Sequence, residues 1–278
     1  MALKQKTILN EVTFNGVGLH SGLKVTMTLK PAAENTGIVF KRTDLEEETI
    51  IEADVRNVVD TSRGTVLESN GARVGTIEHT LAAISALGID NLLIEIDAPE
   101  APIMDGSSKI IYDGIGEENI VEQDAEKEIF EIRNKIVFKD EESGAELIAL
   151  PDDDFSIDVM ISFNSPVLQN QFARLGSMEQ FRTEIAPCRT FVFLHELEFL
   201  LNNNLVKGGD LDNAIVIMDR DVTQDELDRI ADLFHHEHVK LNGNKGILNN
   251  LQLHFSNEPA RHKLLDVIGD LSLVGRSI

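Results

Sequence analysis

The 278-residue chain has no tryptophan, one tyrosine and one cysteine, and aromatic residues make up only 5% of it. A single thiol, Cys188, excludes an internal disulfide framework and suits a reducing compartment. Basic residues are few: 25 Lys and Arg stand against 48 Asp and Glu, a formal net charge of −23. No basic patch is visible, so a nucleic-acid surface is excluded. An anionic ligand would depend on local Lys or Arg. No run approaches the roughly 18 or more apolar residues of a membrane-spanning helix, so membrane contact is at most peripheral. The stretch Met1 to Lys6 has two lysines but no apolar core of a secretory signal. These absences point to the cytoplasm. Three common signatures are missing too: a Gly-x-Ser-x-Gly elbow, a Walker A loop, and the third glycine that Gly16-Val17-Gly18 would need to bind a dinucleotide.

What is present is a soluble composition, 42% apolar and 26% charged, in alternating β and helical periods. Strands are expected over residues 7–19, 25–29, 38–41, 65–68, 73–75 and 91–97, with Asn70-Gly71 as a two-residue hairpin turn. Ile77, Leu81, Ile84 and Leu87 fall at helical spacing before Gly88, a suitable C-cap, and residues 107–115 read as a second helix. Residues 117–128 are acidic and poor in apolar side chains, as a linker would be. Beyond it, strands are expected over 129–139, 146–150, 156–163 and 214–218, and helices over 191–201, 223–233 and 262–274. The class is α+β with two domains, 1–116 and 129–278.

Two short runs carry candidate chemistry. Glu78-His79 opens one helix; His262, Asp266 and Asp270 recur every four residues on another and share a face. Taken singly, each has a plainer reading as a solvated stripe or a satisfied core histidine, which is the commoner origin of such spacings. Ala82, Ala83 and Ala86 change the balance, because small residues let a second backbone approach and bury the first helix on two sides. A buried His and Glu then need partners. A catalytic zinc needs three protein ligands, an open position and a nearby carboxylate base, and these residue types supply them. The denser tract His235-His236-Glu237-His238 does not, since adjacent helical side chains diverge by about 100°; adventitious metal binding is expected there. Cys188, His195 and His254 are read as structural.

Further motifs join these runs: Gly16-Val17-Gly18-Leu19-His20-Ser21-Gly22, Asp90-Asn91, Pro102-Ile103-Met104-Asp105-Gly106-Ser107-Ser108, Arg189-Thr190-Phe191, Lys207-Gly208-Gly209 and Arg261-His262-Lys263-Leu264-Leu265-Asp266. In this order, across nearly the whole chain, they resemble the UDP-3-O-acyl-N-acetylglucosamine deacetylase family, zinc enzymes of lipid A synthesis. The resemblance implies two similar α+β domains with helices packed between two outer sheets and a site where the domains meet. It implies zinc (or iron(II)) on His79, His262 and Asp266, with Glu78 as base and Thr190 at the oxyanion. Lys263 would meet the substrate diphosphate, Asp270 would orient a catalytic His, and Leu19, Phe191 and Gly209 would lie near the acyl chain.

Family members continue past the last helix with a segment supplying that His, whereas this chain stops at Arg276-Ser277-Ile278. The expectation is therefore a second domain shortened at its end, whose parent chain in some relatives carries a fused dehydratase domain. The competing expectations are a chain that binds zinc and the UDP-sugar with impaired turnover, and a scaffold that binds neither.

Overall fold

In the computed structural model, residues 3–47, 49–163, 165–197, 207–209, 213–233, 237–238, 240–241, 243, 246–248 and 252–278 are described. The fold is α+β. Strands β1 (Lys4–Ile8), β2 (Val12–Val17), β3 (Lys24–Pro31), β4 (Ile38–Arg42) and β5 (Ile50–Glu52) occupy the first fifth of the chain. They are followed by β6 (Val58–Asp60), β7 (Val66–Ser69), β8 (Ala72–Val74), helix α1 (Glu78–Ala86), β9 (Leu92–Ile96) and helix α2 (Lys109–Ile115). A mixed five-stranded sheet runs β2-β3-β9-β4-β5. Its alternation puts Val25, Met27 and Leu29 of β3 and Leu92, Ile94 and Ile96 of β9 on one buried face. The hairpin expected at Asn70-Gly71 joins β7 and β8, with φ of 49° and 80° at those residues as a type I′ turn requires.

The later chain forms β11 (Ile136–Lys139), β12 (Glu146–Ala149), β13 (Ile157–Ser162), β14 (Asn170–Leu175) and the short helix α3 (Phe181–Glu184). Then come β15 (Phe191–Phe193), β16 (Ile215–Met218), α4 (Gln224–Leu233), β17 (Gly246–Ile247) and α5 (Glu258–Leu271). Helix α5 packs on α1 from one side and on β13 and β14 from the other. Helices thus lie between β layers, and one apolar cluster runs from Met27 and Ile94 through Leu81 and Ile84 to Leu265 and Leu175. A second, around Leu194, Val216, Met218 and Leu227, lies under α4. Among the described residues, no helix is long and apolar enough to cross a membrane.

Several local expectations change, and the strand expected over 7–19 is divided between β1 and β2. Residues 117–128, read as linker, hold a 3-10 turn (Glu117–Asn119) and β10 (Ile120–Glu126), paired antiparallel to β1. Glu122, Asp124 and Glu126 point outward at every second position while the residues between are half-buried, so the strand period was hidden under its charge. Residues 191–193, read as helix, are a strand parallel to β16; Phe-Val-Phe suits a pleated, half-buried surface. Only 194–197 are helical, and 198–201 lie outside the described residues. Residues 129–135 are not strand, whereas β14 was not expected.

Candidate metal centre

Two helices build the centre, and each is placed by buried contacts. Residues Glu78 to Ile84 of α1 are all buried, as the alanine stripe implied. On α5, Gly269 faces Glu78 so closely that a Cβ there would lie 2.1 Å from the Glu78 carbonyl oxygen. The start of α5 is fixed by Glu258, fully buried, which accepts from Arg189 Nε at 2.9 Å and from the Arg189 and His254 backbone N–H groups at 3.1 and 2.7 Å. Ser108 Oγ donates to the His79 carbonyl at 2.8 Å. The solvated-stripe reading of α5 therefore fails at His262, which is 1% exposed.

The arrangement was tested for a metal by its donor atoms. His262 Nδ1 lies 3.0 Å from the Cys188 carbonyl, which can only accept, so Nδ1 carries the proton and Nε2 presents its lone pair. That Nε2 is 3.4 Å from Asp266 Oδ1, and His79 Nε2 is 3.6 Å from the same oxygen. Asp266 Oδ1 is buried without a hydrogen-bond donor. All three ligand atoms lie within 4.8 Å of one another. In a tetrahedral site with bonds of about 2.0–2.2 Å, ligand atoms stand roughly 3.3–3.6 Å apart, and the two separations from Asp266 Oδ1 match that spacing, so the orphaned oxygen facing two imidazoles suits an ion. Among the described residues, this is the one such group of His, Cys and carboxylate.

Burial is the largest influence on each ionisable group here. It holds the Glu78 carboxyl above its ordinary range, reinforced by Asp266 and opposed by His79 and the Thr65 N–H. It pushes the His262 imidazole down to about 4, with Asp266 opposing and His79 and Lys263 adding to the shift. At His79 burial acts downward, but Asp266 and Glu78 outweigh it and the pKa rises. At Asp266 burial acts upward, yet His262, Lys263 and His79 hold the carboxyl below its usual range. A neutral His262 beside an ionised Asp266 is the protonation state that ligation demands, whereas at His79 an ion would have to displace the proton that Asp266 and Glu78 favour.

A cavity of about 1170 Å³ opens over this centre, and every residue expected to take part lines it. Glu78 and His79 enter from α1, and His262, Lys263, Asp266 and Asp270 from α5. Thr190 and Phe191 come from the start of β15; Leu19 and Gly209 come from two loops joined by a Gly208 N–H to Leu19 carbonyl bond of 3.0 Å. Lys263 donates to Asp266 Oδ2 at 2.8 Å and sits 5.5 Å over the Phe191 ring. Val267 also lines the cavity. So does His195, whose Nδ1 pairs with Asp219 at 2.9 Å. Of the histidine tract, His235 and His236 lie outside the described residues, and His238 pairs with Asp232. Cys188 is buried and its thiol is pushed up to about 12, chiefly by burial and then by Glu258, in keeping with a structural role.

Sequence reasoning missed three supporting residues. Thr65 contacts both Glu78 and Asp270. Glu100, buried, accepts from the N–H groups of His20 and Ser21 and from Thr76 Oγ1, and so shapes the loop that carries Leu19. Glu258 anchors α5. A lone Thr or Glu has no spacing to reveal it.

Comparison with known proteins finds relatives over nearly the whole chain. The family model described as UDP-3-O-acyl N-acetylglycosamine deacetylase matches residues 5–242 and 235–278. A protein of Bacteroides thetaiotaomicron named bifunctional enzyme LpxC/FabZ is 48% identical over 276 residues, covering 99% of this chain and 60% of that protein. Its namesake from Porphyromonas gingivalis is 48% identical over 275 residues, with 99% and 59% covered. The UDP-3-O-acyl-N-acetylglucosamine deacetylase of Vibrio vulnificus is 40% identical over 280 residues, with 99% and 83% covered. The chain thus spans about 60% of the length of the bifunctional relatives, whose names accord with the expected fused second domain.

Proposed function

The chain belongs to the UDP-3-O-acyl N-acetylglycosamine deacetylase family, and from that premise we propose that it hydrolyses the acetamide of UDP-3-O-acyl-N-acetylglucosamine. The products are acetate and the free amine, in lipid A biosynthesis, and the setting is cytoplasmic. The observation that carries the reading is the meeting of Glu78 and His79 with His262 and Asp266 at one cavity. We also propose a first domain over 1–116, a second over 129–278 and a connection over 117–128 that carries strand β10, paired with β1 of the first domain.

His79, His262 and Asp266 would hold the ion, zinc or iron(II). When bound, such a cation supplies Lewis acidity to the acetamide carbonyl and acidifies water near neutral pH. Glu78, buried beside His79 and held above the ordinary carboxylate range, takes a proton from the attacking water. The water oxygen bonds to the carbonyl carbon, the carbon–nitrogen bond breaks, and the departing nitrogen takes up a proton. Thr190 donates to the developing oxyanion. Lys263 spends one donor on Asp266 and offers the others to the diphosphate. Leu19, Phe191 and Gly209 receive the acyl chain, and Asp270 orients a proton-carrying partner.

Acetate release and metal content together test this. The Glu78→Ala variant should keep stoichiometric metal and lose about 100-fold or more in turnover, in line with the contribution of a positioned base. Undiminished turnover in that variant would overturn the assignment of the base, and a chain that takes up neither zinc nor iron(II) would overturn the reading as a whole.

A further inference from the structure

The loop before β7 touches two of the carboxylates of the site, Glu78 and Asp270. The Thr65 backbone N–H donates to Glu78 Oε2 at 3.0 Å, and the Thr65 hydroxyl donates to Asp270 Oδ1 at 2.6 Å. Thr65 itself is 5% exposed. The residue before it, Gly64, has φ of +155°, and a Cβ there would stand 2.9 Å from Glu78 Oε1. One oxygen of Glu78 thus meets an N–H donor, and the other lies where only a glycine lets it sit. Asp270 is held by one oxygen at the cavity wall, a full helical turn beyond Asp266.

We infer that Thr65 is a positioning residue for the deacetylation, fixing through its amide the face that Glu78 presents and through its hydroxyl the orientation of Asp270. This rests on the function proposed above and deepens it. The reason lies in the freedom of the two side chains. A Glu carboxylate turns about three side-chain bonds and an Asp carboxylate about two, and each has a nearly symmetric terminal torsion. Neither orientation is set by the helix that carries the residue. Thr65 removes that freedom at both groups from one rigid point, because its own backbone leads directly into β7. A base that must meet a water in one geometry loses rate steeply with small displacements. A hydroxyl is needed at residue 65, whereas its methyl group is not.

Steady-state acetate release from UDP-3-O-acyl-N-acetylglucosamine, with metal content measured alongside, tests the inference on Thr65→Val and Thr65→Ser. The valine keeps the shape and the backbone amide; the serine keeps the hydroxyl. Thr65→Val should lower kcat by about 10–100-fold with KM within about twofold and metal unchanged, while Thr65→Ser should recover most of the loss. Adding Thr65→Val to Asp270→Asn should cost little more than Asp270→Asn alone, since the two act as one unit. Wild-type kcat in Thr65→Val, or an equal loss in the serine variant, would overturn the inference. If the unaltered protein releases no acetate, the proposed function fails, and amide exchange then decides the geometry. The Thr65 amide should exchange faster in Glu78→Ala than in the unaltered protein at equal global stability, and an unchanged rate would overturn the tie between them.

Discussion

Gly269 and Glu78 meet backbone to backbone: a methyl group on the glycine would lie 2.1 Å from the Glu78 carbonyl oxygen and 2.8 Å from its carbon. Glycine in an exposed helix interior is ordinarily about 1 kcal/mol worse than alanine. Here the sign should reverse. Gly269→Ala must push α5 away from α1, and overpacking of this kind costs about 1–3 kcal/mol. Denaturant melts should show the loss, and zinc affinity should fall with it because the same shift separates His79 from His262 and Asp266. A more stable alanine variant with unchanged zinc affinity would show that the helices are not in register through this contact.

The buried pair of Arg189 and Glu258 should dominate the stability of the α5 anchor. Their side chains are 9% and 0% exposed, and Glu258 accepts from three donors besides. Removing one member of a buried pair costs about 3–5 kcal/mol, because it strands the other charge. Glu258→Ala should therefore lose about that much in urea titrations, whereas Arg56→Ala, at an exposed pair with Asp54, should change stability by about 0–1 kcal/mol.

Returning metal to chelator-treated protein should raise its stability. A ligand at a hundred times its dissociation constant adds about 2.7 kcal/mol when it binds the native state alone. The increment should vanish in His262→Ala and in Asp266→Asn, each of which removes a donor from the group that leaves Asp266 Oδ1 without a hydrogen bond. An increment of full size in either variant would move the ion elsewhere.

Stability should also decline in alkali. Burial, then Glu258, pushes the Cys188 thiol from 9.0 up to about 12; burial, then its bond to Glu117, pushes Tyr112 from 10.0 up to about 12. Between those values the unfolded chain holds fewer protons than the native one, so the unfolding free energy falls as pH rises. Melts from pH 9 towards 12 should show this slope, and Cys188→Ala should flatten its lower part. Slopes that coincide for the two proteins would mean that the thiol ionises as readily in the native fold as in the unfolded chain.

How much of this was legible depended on how local each determinant is. Asn70-Gly71 announced its hairpin because both residues tolerate positive φ, and α1 and α5 announced themselves by apolar spacing. The candidate metal donors were legible because few residue types can serve. Strand β10 was not, since charge on its outer face masked a period of two, and Phe191–Phe193 was assigned to a helix because its partner β16 lies far along the chain. Thr65 could not be found at all: it and Asp270 are 205 positions apart, and nothing in either neighbourhood refers to the other. Residue type pointed to the groups proposed to do the chemistry, whereas tertiary approach decides what holds them.

The packing of α5 on α1 also fixes an order of events during synthesis. His79 leaves the ribosome roughly 180 residues ahead of His262, an interval of about 10–40 s at ~5–20 residues per second. Throughout it Glu78 and His79 have no covering helix, so the face that later becomes the floor of the cavity is open to water and to chaperones. Capture of an ion by His79, His262 and Asp266 would have to wait for α5, so metal uptake would report that α5 has docked on α1.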